Sequence, residues 1–246
     1  MPWRICWRRY NESVIACENG TNMTKHFHRD LENLQKAILS LSSLVEDMID
    51  GAGRCLLESQ LELARQVIEA DQQVDQREVT IEEECLKMLA LHQPVAIDLR
   101  RIAAVLKINH DLERIGDLAV NIVQRADCLH QRPDFPMPAK LEHMARLATS
   151  MVRGALNAFV DSDPNAAREI CRRDDEVDAI NRQIIGELIA LMKLRPDMVE
   201  PAMHCFSATR HIERIADHAT NIAEDVIYLV EGEIVRHRGR LHAATD

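Results

Sequence analysis

Glu113-Arg-Ile-Gly-Asp-Leu-Ala-Val-Asn-Ile122 returns one hundred residues later as Glu213-Arg-Ile-Ala-Asp-His-Ala-Thr-Asn-Ile222, without a gap and with seven of ten positions identical. Upstream, Ala64-Arg-Gln-Val-Ile-Glu-Ala-Asp-Gln-Gln-Val-Asp75 repeats as Ala167-Arg-Glu-Ile-Cys-Arg-Arg-Asp-Asp-Glu-Val-Asp178, at an offset of 103. The two offsets differ by three residues, so one connection is longer in one copy than in the other. A repeat of this length and order is one supersecondary unit used twice.

The apolar period inside the repeat is helical. Ile108, Leu112, Ile115, Ala119, Ile122, Ala126 and Leu129 are spaced 4-3-4-3-4-3, and Ala208, Ile212, Ile215, Ala219, Ile222, Val226 and Leu229 follow the same rhythm. Such a seam packs helices at shallow angles.

Breaker residues divide the rest. Thr24 is a candidate cap for a helix to about Ile49, stopped by Asp50-Gly51-Ala52-Gly53. A second helix is expected over 57–91, ended by His92-Gln93-Pro94, with Pro94 near the first position of a third over 95–131. Pro133-Asp134-Phe135-Pro136-Met137-Pro138 is the densest cluster and reads as the linker between the copies. A fourth helix over 139–160 ends at Asp161-Ser162-Asp163-Pro164, which also caps a fifth reaching Leu194. Pro196 and Pro201 open a sixth, which runs to Glu231-Gly232. The expected fold is all-α: two tandem, pseudo-symmetric, antiparallel three-helix bundles. Its parts are an ill-ordered extension (1–22), a first repeat (23–132), the linker (133–138), a second repeat (139–232) and a polar tail (233–246).

Composition agrees. The 246 residues include only 8 Gly, 8 Pro and 3% aromatics, too few turns and too few ring side chains for a β-sandwich or barrel. Net charge is −10, which disfavours direct nucleic-acid binding and favours cations as partners. The seven cysteines are scattered without a CxxC pair, so they read as reduced, mostly buried thiols of a cytoplasmic protein. The longest apolar run, Ile102–Leu106, is far shorter than a membrane span.

Each copy also keeps one Asp-x-x-x-Asp (Asp71/Asp75; Asp174/Asp178) and one Glu-x-x-x-Asp (Glu113/Asp117; Glu213/Asp217). Residues i and i+4 share a helix face, and like charges there are mildly destabilising. Neighbouring antiparallel helices would gather four carboxylates per copy, a group that must protonate in part or take a cation. By heptad position, Glu113, Asp117 and Asn121 form a stripe off the core, so a metal would sit in a surface groove. One such pair alone is worthless as a signal; two per copy, both duplicated, are the argument. Arg114 and Arg214 as simple surface ion-pair partners are the plainer explanation. His110, His204, His211 and His218 complete no Glu-x-x-His pair, so a ferritin-like di-iron centre is not indicated. They read as surface or satisfied histidines, with His218 the one candidate to assist a metal. Met88, Met144, Met151, Met192 and Met203 read as core filler, and Glu82-Glu83-Glu84 as a solvated face.

These repeated segments closely resemble the PhoU family of bacterial phosphate-transport regulators over about residues 24–232. The resemblance implies multinuclear clusters of iron, zinc, manganese or magnesium held by Asp71, Asp75, Glu113, Asp117, Asp174, Asp178, Glu213 and Asp217. It also implies a non-catalytic adaptor, acting as a homodimer. Its partners would be the ATPase subunit of the phosphate ABC transporter and a sensor histidine kinase, with the phosphate-starvation (Pho) regulon repressed when phosphate is plentiful. Pro201 stands where the first copy has Arg101, a departure at the start of the sixth helix. Two other readings of the residues stay open here: a two-metal hydrolase built on the same carboxylates, and a purely structural helical module.

Overall fold

The computed structural model describes residues 22–58 and 60–235. Residues 1–21 of the expected extension and 236–246 of the expected tail lie outside that range, as do Cys6 and Cys17. Among the described residues six long helices make up the fold: α1 Asn22–Leu57, α2 Leu61–His92, α3 Ala96–His130, α4 Leu141–Asp161, α5 Pro164–Leu194 and α6 Val199–Glu231. A 3₁₀ turn, Pro196–Met198, precedes α6, and there is no strand among the described residues. Helices α1, α2 and α3 pack on one another as one bundle, α4, α5 and α6 as the second.

The chemistry at the joints accounts for most boundaries. Asp163 Oδ1 accepts from the backbone N–H of Asn165 (2.9 Å) and Ala166 (3.1 Å), with Pro164 at the first helical position of α5. Gly232 ends α6 at φ 73°, donating its N–H to Tyr228 O. Pro201 falls in the first turn of α6, where a missing N–H costs nothing. The helix therefore starts at Val199 despite the departure seen there. Pro94 lies ahead of α3, outside its first turn.

One expected stop is absent. Helix α1 runs through Asp50-Gly51-Ala52-Gly53 to Leu57. Gly51 is there because α2 comes close: a Cβ on it would lie 2.9 Å from Val67 Cγ2. The glycine serves packing, not termination.

All fourteen seam positions are buried, and the core is one continuous cluster through both bundles. Its breadth comes from α3 and α6, which pack more extensively on each other than any other pair of helices. Each is buried on two sides, against its own bundle and against its counterpart, so Ala104, Val105, Leu118 and Val123 are inside although they lie off the seam. Antiparallel contacts mark the pairing: Arg100 Nε to Leu229 O (3.4 Å), Lys107 Nζ to Asp225 Oδ1 (2.9 Å) and His218 Nδ1 to Asp111 Oδ1 (2.8 Å). The Pro133–Pro138 connection is itself docked: Phe135 is buried, and Asp134 meets Arg132 and Arg195 at the α5–α6 end.

Met88, Met144 and Met151 are buried as expected, Met192 partly so. Met203 is not core filler; it is half-exposed at the open side of α6. Cys55, Cys85 and Cys205 are buried free thiols, and Cys128 and Cys171 are half-buried free thiols.

Candidate metal centre

Helices α2 and α3 are joined by a short turn and run antiparallel, which places the Asp71/Asp75 stripe beside Glu113/Asp117. Asp71 is half-buried, and its carboxyl is pushed above the ordinary range by burial first, then by the charges of Asp75 and Asp117. Glu113 is raised likewise, by burial and then by Asp117, with Glu78 adding to the effect and Arg114 and His110 opposing it. Gly116 helps this approach: a Cβ there would stand 3.5 Å from both Asp71 Oδ1 and Val74 Cγ1.

The second copy repeats the arrangement on α5 and α6. Burial and the neighbouring Asp217, Asp178, Asp175 and Glu213 push Asp174 up to about 6. Burial also raises Glu213, followed by Asp217, while Arg210 pulls the other way through a 2.7 Å ion pair. Each copy therefore brings its helix pair together with carboxylates facing carboxylates.

The counter-cations are few. Arg114 reaches Asp117 Oδ2 at 3.3 Å and lies 3.4 Å from Glu113 Oε2, close for charge but without hydrogen-bond geometry. Arg182 lies 3.6 Å from Asp178. Among the described residues three carboxylate oxygens are sealed from solvent with no hydrogen-bond partner: Asp71 Oδ1, Glu113 Oε2 and Glu213 Oε2. Buried acceptors left this way are rare and costly. A hard cation with oxygen ligands suits such a donor set, so the residues present fit a metal. The side chains as they stand do not converge: among the described residues no group of three or more His, Cys, Asp or Glu forms a ready ligand set. Asp75 and Asp217 are the exposed members of their pairs.

The copies are not identical around these acids. Glu78 lines the first groove, its carboxyl raised by burial and then by Glu82, whereas Asn181 stands at the matching position of the second. Asn109 is buried beneath Glu78, donating Nδ2–H to its backbone carbonyl at 2.9 Å. His218 is no metal assistant: it is bound to Asp111 across the α3–α6 seam. Asp111, Asp225 and Lys107 escaped the reading of the sequence, because nothing local marks an acid as buried against the other copy.

A model of the PhoU domain matches residues 38–126 and again 141–226, the two copies of the repeat. The chain belongs to the PhoU family. It is 38% identical over 226 residues to the phosphate-specific transport system accessory protein PhoU homolog of Pseudomonas putida, covering 90% of this chain and 88% of that one. The crystal structure of PhoU from Pseudomonas aeruginosa superposes with a TM-score of 0.82 at 37% identity, covering 84% of this chain and all of the other. The phosphate transport system regulatory protein PhoU from Streptococcus pneumoniae gives 0.78 at 30% identity, covering 85% of this chain and 99% of that one. The PhoU relatives are named as accessory or regulatory proteins, and no helix among the described residues is long and apolar enough to cross a membrane.

Proposed function

We propose that this PhoU-family chain is a metal-binding regulator of phosphate uptake that works by binding rather than by catalysis. In the cytoplasm, as a homodimer, it links the ATPase subunit of the phosphate ABC transporter to a sensor histidine kinase and keeps the phosphate-starvation regulon off. The duplicated carboxylate groove, with solvent-shielded acceptors lacking donors in both copies, is the observation that supports the metal part. Bound cations supply positive charge that neutralises the repulsion between the α2 and α3 acids and between those of α5 and α6. Asp71 and Glu113 would hold the cation, and with it their helices, in one copy, Asp174 and Glu213 in the other. A regulator read by its partners through helix surfaces gains a cation-dependent shape in this way.

Elemental analysis of protein refolded with iron, manganese, zinc or magnesium tests metal uptake. Capture from phosphate-replete cells, with and without chelator, tests the partners. Unchanged metal content in the Asp71→Asn/Asp174→Asn double variant would show the grooves are not the site. Recovery of neither the transporter ATPase nor the kinase would remove the adaptor role.

A further inference from the structure

The α3–α6 seam joins equivalent helices of the two copies in antiparallel fashion. Each contact on one side therefore has a counterpart on the other, found by exchanging residues one hundred apart. On one side the charges are matched: Lys107 meets Asp225, and Asp111 meets His218. The counterpart positions are Ser207, Arg125, His211 and Leu118. Both acids have become basic residues, and the lysine and histidine have become Ser207 and Leu118.

Burial, then the charges of Arg214 and Arg125, hold the His211 imidazole below its ordinary pKa. His211 Nε2 lies 3.2 Å from Ser207 Oγ. Its Nδ1 is sealed from solvent without a partner, and so is Arg125 Nε. Two guanidinium groups, an imidazole and a hydroxyl thus gather at one place in a chain of net charge −10, with two buried nitrogens left unsatisfied. Shielded donors of this kind are normally paired.

We propose that this side of the α3–α6 seam is a binding site for a small tetrahedral oxyanion, of the phosphate or sulfate type, held by Arg125, His211 and Ser207 with Arg214 at its rim. A guanidinium takes such an anion through two parallel N–H donors. Several acceptor oxygens in one small ligand serve donors that face different ways, which a single carboxylate on a folded partner does not. Entry between the helices needs Arg125 to swing, and that half-buried side chain has no hydrogen bond at Nε to break. His211 and Arg214 share α6 with Glu213, two residues and one residue away, but the anion site does not rest on cation binding there.

The test is calorimetric titration of the full chain, stripped of metal, with inorganic phosphate and with sulfate, sodium chloride holding the ionic strength constant. Saturable millimolar binding of both anions is expected, weakened about tenfold by Arg125→Gln and less by Arg214→Gln. Arg214 is exposed, so its variant keeps the comparison valid if Arg125→Gln melts early. The proposal is overturned if no saturable binding occurs, if chloride acts as well as phosphate, or if both arginine variants bind as the parent does.

Discussion

Lys107 Nζ stands 2.9 Å from Asp225 Oδ1, a carboxylate 2% exposed that belongs to the other copy of the repeat. The ammonium also lies 5.2 Å from the centre of the Tyr228 ring. The pair ties α3 to α6 where the two bundles share a core. Removing the lysine leaves a buried charge short of its counter-ion, and that, more than the lost attraction, sets the cost.

Lys107→Met should therefore destabilise the protein by about 1–3 kcal/mol, discounted because the lysine itself is 42% exposed. Adding Asp225→Leu should restore part of that loss, because the stranded charge goes with it. Denaturant melts of the two single variants and the double variant measure the coupling. Simple additivity of the two single effects would show that the pair is not coupled.

Core and groove positions on α3 should behave oppositely. Ile115 is fully buried and Ile215 nearly so, and truncation of either to alanine should cost about 2–5 kcal/mol through lost burial and a residual cavity. Asp117→Asn removes only a 43% exposed end of an ion pair with Arg114, worth about 0–1 kcal/mol, and relieves repulsion on Asp71. Metal-free thermal melts separate the two classes. A large drop for Asp117→Asn would make the stripe a structural salt-bridge network.

The contrast also marks what was legible in the sequence. Ile115 and Asp117 declare their roles locally, one by the 4-3 rhythm and the other by a duplicated i, i+4 partner. Asp111 and Asp225 do not, since each looks like any helix acid until the helix of the other copy is laid against it. Leu118 and Val123 carried the missing signal: apolar residues off the seam in the two turns after Gly116 indicate a second buried side to α3. Gly51 misled for a related reason. A close approach by α2 and a helix stop ask for the same residue, and only the position of Val67 tells them apart.

Titration of the metal-free protein should show the crowding of the acids. Asp174 is raised from its ordinary 3.8 to about 6, by burial and then by Asp217 and its neighbours. Its folded pKa lies above the unfolded one, so its contribution to stability is fully present below about 3.8 and is lost as pH rises through about 6. Asp71, Glu113 and Glu213 shift in the same direction, each with burial as the first cause. The metal-free chain should melt higher at pH 5 than at pH 7, and Asp174→Asn should raise the melting temperature at pH 7 and narrow the difference. An identical pH slope in parent and variant would mean that Asp174 is not held above its ordinary pKa.

Cation loading should reverse that pH trend, because protons and metal compete for the same oxygens. Added at about one hundred times its dissociation constant, a cation that binds only the folded state stabilises it by about 2.7 kcal/mol. The parent should therefore melt higher with cation at pH 7 and lose that gain as the solution is acidified through the region near 6 where Asp174 takes up its proton. Asp71→Asn/Asp174→Asn should start from a higher metal-free melting temperature and respond little to cation, since the most buried oxygen donor of each α2-type stripe is neutral. In cells, the same variant should raise phosphatase-reporter expression in phosphate-rich medium while its protein level holds. Cation-dependent stabilisation of equal size in parent and variant would place the metal elsewhere. Unchanged reporter output from a variant that has lost its metal would instead separate the metal from the regulation, leaving the grooves a structural device within a PhoU fold.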